Sequence, residues 1–155
     1  MIDVSDSSRL REAIELLYFG YRAFTDQADR ILEDQGLGRV HHRILYFIGR
    51  RPQMSVSGLL DVLGVTKQAL NAPLRRLIDL GLVRATIAAE DRRIRQLCLT
   101  EQGQALEALL SGLQIQLLEA AFSRAGPAAT TGWADVMAHL GTITPPVASG
   151  TEQDS

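Results

Sequence analysis

LGVTKQALNAPLRRLIDLGLV (residues 63–83) and DRRIRQLCLT (residues 91–100) carry the strongest local signals in this chain. In the first, Thr66 stands where an N-cap belongs. Ala69, Leu70, Leu74, Leu77 and Ile78 or Leu80 then recur at three- and four-residue steps, and Gly81 closes a helix predicted over about 66–80. In the second, Leu97 and Leu99 alternate with Gln96 and Cys98, as on a half-buried strand over 94–99. Leu82, Val83 and Ile87 suggest its partner strand, and the polar stretch 88–93 the turn between them. A basic hairpin therefore follows a helix. Arg92, Arg93 and Arg95 crowd its tip, where folding gains nothing from them, so the charge calls for an external partner.

Working upstream, Ser55 is placed to cap a short helix, SVSGLLDVLG (55–64), with Leu59, Leu60 and Leu63 inward and Gly64 permitting a tight turn. Helix, short turn, helix is helix-turn-helix geometry. Before it, Val40, Ile44, Leu45, Phe47 and Ile48 mark a helix over about 39–50 that Pro52 stops. Residues 9–35 read as one long amphipathic helix carrying Leu10, Ile14, Leu17, Tyr18, Tyr21, Phe24, Ala28, Ile31 and Leu32, ended by Gly36 and Gly38. At 1.5 Å per residue it spans roughly 40 Å, with a stripe wide enough for both an internal core and a second subunit.

Downstream, Thr100 and Gly103 open a fifth helix in which Leu106, Leu109, Leu110, Leu113, Leu117, Leu118 and Phe122 keep helical spacing. Gly126 and Pro127 break it, and a helix over about 128–141 places Trp133, Val136, Met137 and Leu140 on one face. The expected organisation is a single mainly α domain over 9–141. Its winged core covers about 39–100 with a two-stranded β-wing, and the flanking helices, about 9–35 and 101–141, serve dimerisation. Residues 1–8 and 144–155 are expected to be disordered.

The size, 155 residues with 46% hydrophobic and 22% charged, suits one ordinary domain with a real core. No run of about 18 apolar residues stands out as a membrane span, and MIDVSDSSRL lacks a secretory pattern, so a cytoplasmic protein without membrane association is expected. Cys98 is the only cysteine. It excludes an internal disulfide and a multi-thiolate zinc site, and reads as a small buried strand residue. Net charge is −2, but its distribution is uneven: residues 66–95 hold seven basic side chains against three acidic ones. The remaining nine basic and fifteen acidic residues leave positive charge concentrated where a phosphate backbone could be met.

A recognition helix reads base edges near its N-terminus, which singles out Thr66, Lys67, Gln68 and Asn71. Gln68 and Asn71 have the amide geometry for bidentate contact with adenine, and Lys67 can reach guanine or phosphate. Arg75 and Arg76 suit phosphates or internal ion pairs. Pro73 lies past the first turn, where loss of the bond to Ala69 should cost about 3 kcal/mol, so a kink or a late helix start is expected. At the hairpin, Asp91 is two residues from Arg93, close enough for its carboxylate to hold the guanidinium extended. An arginine so oriented suits a narrow minor groove, with Arg92 and Arg95 meeting flanking phosphates.

The quoted segments, followed by EQGQAL, resemble the winged helix-turn-helix of the MarR family of bacterial transcriptional regulators. The match rests on Asp91 and Arg93 at the wing tip, Leu99 and Thr100 ending the strand, Gly103 opening a long helix, and Gly81-Leu82-Val83 ending the recognition helix. Pro73, Ala72 and the wing turn AAED depart from the family's usual residues. The resemblance implies a homodimer that binds a palindromic double-stranded DNA operator, working as a ligand-responsive repressor. It also implies a small phenolic or otherwise amphipathic effector between the dimerisation helices and the winged core, where Tyr18, Tyr21, Arg22, His42 and Tyr46 are the polar candidates.

His41 and His42 are adjacent and His139 lies in another helix, so no metal-binding spacing appears. Without a nucleophile elbow, phosphate-binding loop or dinucleotide fingerprint, neither catalysis nor a cofactor is expected. The rival class is a winged-helix protein-interaction adaptor that has lost DNA binding, motivated by Pro73, Ala72 and the acidic balance.

Overall fold

A computed structural model describes residues 4–143, so expectations for 1–3 and 144–155 lie outside the described residues. The elements run α1 Val4–Asp34, α2 Arg39–Arg50, β1 Met54–Ser55, α3 Val56–Leu63, α4 Lys67–Asp79, β2 Val83–Ile87, β3 Arg95–Leu99, α5 Glu101–Ala125 and α6 Pro127–Leu140. The chain falls into two compact units, one ending at Leu117 and one beginning at Leu118.

In the first unit the capping residues act as their types dictate. The Ser55 hydroxyl accepts from Gly58 N–H at 3.0 Å to start α3, and Thr66 Oγ1 accepts from Ala69 N–H at 3.2 Å to start α4. Gly64 and Gly81 take left-handed conformations, with φ of 63° and 72°, to end those helices. The core is built from Leu32, Ile44, Leu45, Ile48, Leu59, Leu70, Leu77, Leu97 and Leu110, all fully buried. It joins the C-terminal end of α1, the helix-turn-helix, the sheet and the first turns of α5. Truncating one such leucine costs about 2–5 kcal/mol.

Several expectations need correction. The helix α1 begins at Val4, so residues 4–8 are helical rather than disordered. The sheet has three strands in the order β1-β3-β2, because Met54 and Ser55 pair antiparallel with Leu97 and Gln96. A two-residue strand has no alternation of its own to display. The α4 helix starts at Lys67 and continues through Pro73 without interruption, so a late start does not occur. Within it Leu70, Leu74 and Leu77 are buried while Ala69 is exposed, and Ile78 and Leu80 stay more than a third exposed. In α2 it is His42, with Ile44, Leu45 and Ile48, that is buried, whereas Val40 is exposed.

The α1 stripe divides. Ala28 and Leu32 enter the core, but Leu10, Ile14, Leu16, Leu17, Tyr18, Phe19 and Tyr21 are exposed. By length and composition α5 could cross a membrane, which departs from the sequence reading. Its first turns nevertheless bury Gly103, Leu106, Leu110 and Ser111 against the protein. In the second unit, Trp133 of α6 packs against Phe122 with ring centroids 5.1 Å apart, and α6 itself buries no residue fully.

Candidate nucleic-acid interface

The hairpin is pinned at its base. Strands β2 and β3 pair from Val83 with Leu99 to Ile87 with Arg95. Beyond Leu99, the Thr100 N–H donates to the Leu82 carbonyl at 3.1 Å, and the Thr100 hydroxyl donates to the Gly81 carbonyl at 2.5 Å. The same hydroxyl accepts from Gly103 N–H at 3.1 Å, capping α5. Gly103 is required by packing, because a Cβ there would overlap the Leu82 carbonyl oxygen. The recognition helix, the wing and α5 therefore meet at one hydrogen-bonded joint.

At the tip, Ala88 N–H donates to the Ile94 carbonyl at 2.9 Å and Ile94 N–H to the Asp91 carbonyl at 3.1 Å. Asp91 Oδ1 accepts from the Arg93 backbone N–H at 2.9 Å and lies 3.5 Å from Arg93 Nε. The carboxylate thus shapes the turn first and touches the guanidinium second. An Asx turn of this kind tolerates a tip without Pro or Gly, which is how AAED is accommodated. The Arg93 side chain is 94% exposed, so its pairing with Asp91 is a weak surface contact. Arg92 and Arg95 are exposed as well.

On α4, the buried set leaves Gln68, Ala72, Arg75 and Asp79 along the outward stripe, with Lys67 and Asn71 on its flank. Polar and positively charged side chains sit toward the N-terminus of that stripe. Asp79 ends that stripe with a negative charge. Arg76 behaves differently from Arg75. Its Nη2 would lie 3.5 Å from a Cβ placed on Gly36, so it rests against the α1–α2 turn. There it opposes protonation of His41, whose pKa is lowered mainly by burial and also by this guanidinium. Gly38 N–H donates to His41 Nδ1 at 2.9 Å, closing the start of α2.

The residues singled out for an effector sit on α1 and α2. The Tyr21 hydroxyl accepts from Arg43 at 3.0 Å, and its ring lies 5.3 Å beneath Arg39, which pairs with Asp29 at 2.8 Å. Tyr18 is exposed and stacks edge-on with Phe19, Tyr46 does the same with Phe47, and Arg22 is exposed. His42 is buried, with Nε2 3.4 Å from Ser111 Oγ, and that hydroxyl donates to Glu107 at 2.6 Å. Burial lowers the His42 pKa against the opposing pull of Glu107 and Asp29. Arg39, Arg43, Glu107 and Ser111 were not singled out from sequence, since nothing local announces partners 22 or 69 positions away. Arg84, exposed on β2, was missed too, although strand alternation beside Val83 marks it as outward-facing.

A helix-turn-helix capped by Ser55 and Thr66, a basic wing and flanking long helices define the winged helix-turn-helix class. The sequence profile of the MarR family matches residues 35–94. The HTH-type transcriptional regulator PetP of Rhodobacter capsulatus is 48% identical over 129 residues, covering 83% of this chain and 78% of PetP. Among solved structures, Streptococcus pneumoniae FabT in complex with DNA superposes with a TM-score of 0.76 at 18% identity, covering 87% of this chain and 94% of FabT. NadR in complex with 4-hydroxyphenylacetate gives 0.68 at 22% identity, covering 83% and 91%. The chain belongs to the MarR family and is a DNA-binding transcriptional regulator, which removes the adaptor reading. The family is one of regulators rather than enzymes.

Proposed function

We propose that this regulator works as a homodimeric, ligand-responsive repressor on a palindromic double-stranded DNA operator, in the cytoplasm. Lys67, Gln68 and Asn71, next to the Thr66 cap, read the major groove, and Arg93 enters the minor groove from a turn set by Asp91. Arg75, Arg92 and Arg95 meet phosphates, and Arg76 reaches phosphate only by leaving the α1–α2 turn. The observation that carries the reading is the exposed arginine tip on a wing joined to α4 at Thr100 and Leu82. The FabT complex supports DNA as the partner of this fold.

Dimerisation is supported by α1, where the consecutive residues Leu16, Leu17, Tyr18 and Phe19 are all exposed. Apolar side chains all round a helix call for cover on several sides. The winged core, about 39–100, then presents the reading elements, and the helices of about 9–35 and 101–141 serve dimerisation. The 4-hydroxyphenylacetate complex of NadR supports a small phenolic effector, for which Tyr18, Tyr21, Arg22, His42 and Tyr46 are the polar contacts offered by this chain.

Fluorescence anisotropy with the DNA upstream of the chain's own coding region tests the reading. Affinity should fall steeply with salt, by about 0.9 in log–log slope for each phosphate neutralised. Arg93→Ala should weaken binding strongly without altering stability. Unchanged affinity of Arg93→Ala at physiological salt overturns the assignment of the wing.

A further inference from the structure

Away from the reading surface, a cleft of about 190 Å³ opens between the C-terminal end of α2, strand β3 and the first turns of α5. Gly49 and Pro52 form one wall, Cys98 and Leu99 a second, and Gln104 and Glu107 the third. None of the residues proposed for a phenolic effector lines it. At ~30 Å³ per water, the space holds about six waters, or an organic group of similar heavy-atom count.

Its chemistry is one-sided. Glu107 is the single formally charged side chain in the lining, and no ion pair involves it among the described residues. One lone pair of its carboxylate receives the Ser111 hydroxyl at 2.6 Å, which fixes its orientation and leaves the other acceptor sites open. Gln104 lines the cleft as the other polar side chain of α5, whereas the Cys98 thiol is directed at the Arg84 carbonyl, 3.8 Å away. Leu99, Ile48 and Pro52 supply apolar surface. A lone carboxylate falls short of the six or more oxygen donors that calcium takes.

Gly49 keeps the space open. It sits in the last turns of α2, where glycine weakens a helix. A Cβ there would meet Leu99 Cδ1 at 3.0 Å and the Glu107 Cγ and Cδ at 3.8 and 3.9 Å. Any larger side chain at 49 would occupy the cleft and press on the carboxylate.

We propose that this cleft binds a small organic cation, with an ammonium head group on Glu107 and Gln104 and a short alkyl stem against Leu99 and Pro52. The site is independent of the DNA-binding reading.

The test is a ¹H–¹⁵N titration of the full chain with n-butylammonium chloride, sodium butyrate and n-butanol at matched pH and ionic strength. The ammonium should give saturable shifts at the amides of Gly49, Cys98, Leu99 and Gln104, while butyrate and butanol leave them unmoved. Glu107→Gln, which keeps an oxygen to accept from Ser111, should weaken binding at least tenfold, and Gly49→Val should abolish it. Equal shifts with butanol or butyrate, shifts confined to other regions, no shifts at all, or full affinity in a folded Glu107→Gln variant each overturn the proposal. The three-ligand comparison uses the unmodified chain and decides the matter even where a variant fails to fold.

Discussion

Replacing Gly103 by alanine should be among the most damaging single-methyl additions available in this protein. The new Cβ would overlap the Leu82 carbonyl oxygen, a backbone atom that cannot swing aside as a side chain can. To relieve the overlap, α5 must withdraw from the base of the wing. Three bonds are then strained or lost: Thr100 N–H to Leu82, the Thr100 hydroxyl to Gly81, and Gly103 N–H to Thr100 Oγ1. The lost cap costs about 1 kcal/mol and each of the other two bonds about 1 kcal/mol. Overpacking adds about 1–3 kcal/mol, and the better helix propensity of alanine returns about 1 kcal/mol. The net destabilisation is roughly 3–5 kcal/mol, a large part of the ~5–15 kcal/mol stability of an ordinary domain. Gly112, in the same helix, has no atom within 4 Å of its missing Cβ, so Gly112→Ala should be neutral or stabilise by up to about 1 kcal/mol. Urea denaturation followed by far-ultraviolet circular dichroism reads both. If Gly103→Ala unfolds at the same urea concentration as the parent chain, the joint between wing and α5 is not built as described.

The role of Asp91 separates into two substitutions measured by operator anisotropy. Asp91→Asn keeps an oxygen for the Arg93 N–H and should retain most affinity, while Asp91→Ala frees the turn and should weaken binding about tenfold; equal losses would mean that the charge, not the turn, matters. Protonated His42 is disfavoured by burial, so its folded-state pKa lies below 6.5 and the folded chain binds fewer protons than the unfolded one. Stability should be full above about pH 6.5 and decline as pH falls through the folded pKa. His42→Gln should flatten that decline in denaturation curves taken between pH 7.5 and 5; an identical slope counts against a buried neutral imidazole. For the oligomer, Ile14→Asp and Phe19→Asp on the exposed α1 surface should shift the mass measured by sedimentation from dimer to monomer, and dimers from both variants would place the interface elsewhere.

What could be read from the chain and what could not divides by the range of the interaction that decides it. Ser55, Thr66, Gly64 and Gly81 were legible because a cap or a left-handed turn is settled within three residues. The alternation of Gln96 to Leu99 was legible because one face of β3 meets the core. Strand β1 was not, since two residues become a strand only through Leu97 and Gln96, more than forty positions on. Residues 4–8 were expected to be disordered, yet they extend a helix already formed, and propagation costs far less than nucleation. Arg75 and Arg76 are identical in type and adjacent, and only the α1–α2 turn, brought close by packing, tells them apart.

The wing shows the same division inside one hairpin. Spacing alone placed Asp91 beside Arg93, and the proximity is real, but the backbone N–H takes the closer contact. That donor is already fixed by the chain, whereas the guanidinium would have to give up rotamer freedom to compete. The arginine therefore stays exposed at the tip, in only a weak surface contact with Asp91, while the turn beneath it is hydrogen-bonded. Rigidity at the base has a separate source, because Leu82, Thr100 and Gly103 lock the hairpin to the recognition helix and α5 together. On the proposed reading, an exposed charge on a hydrogen-bonded turn is what would meet the groove, while the base ties the wing to α4. The two ends of the hairpin should accordingly respond to different mutations: the tip through affinity for DNA, the base through stability of the whole winged core.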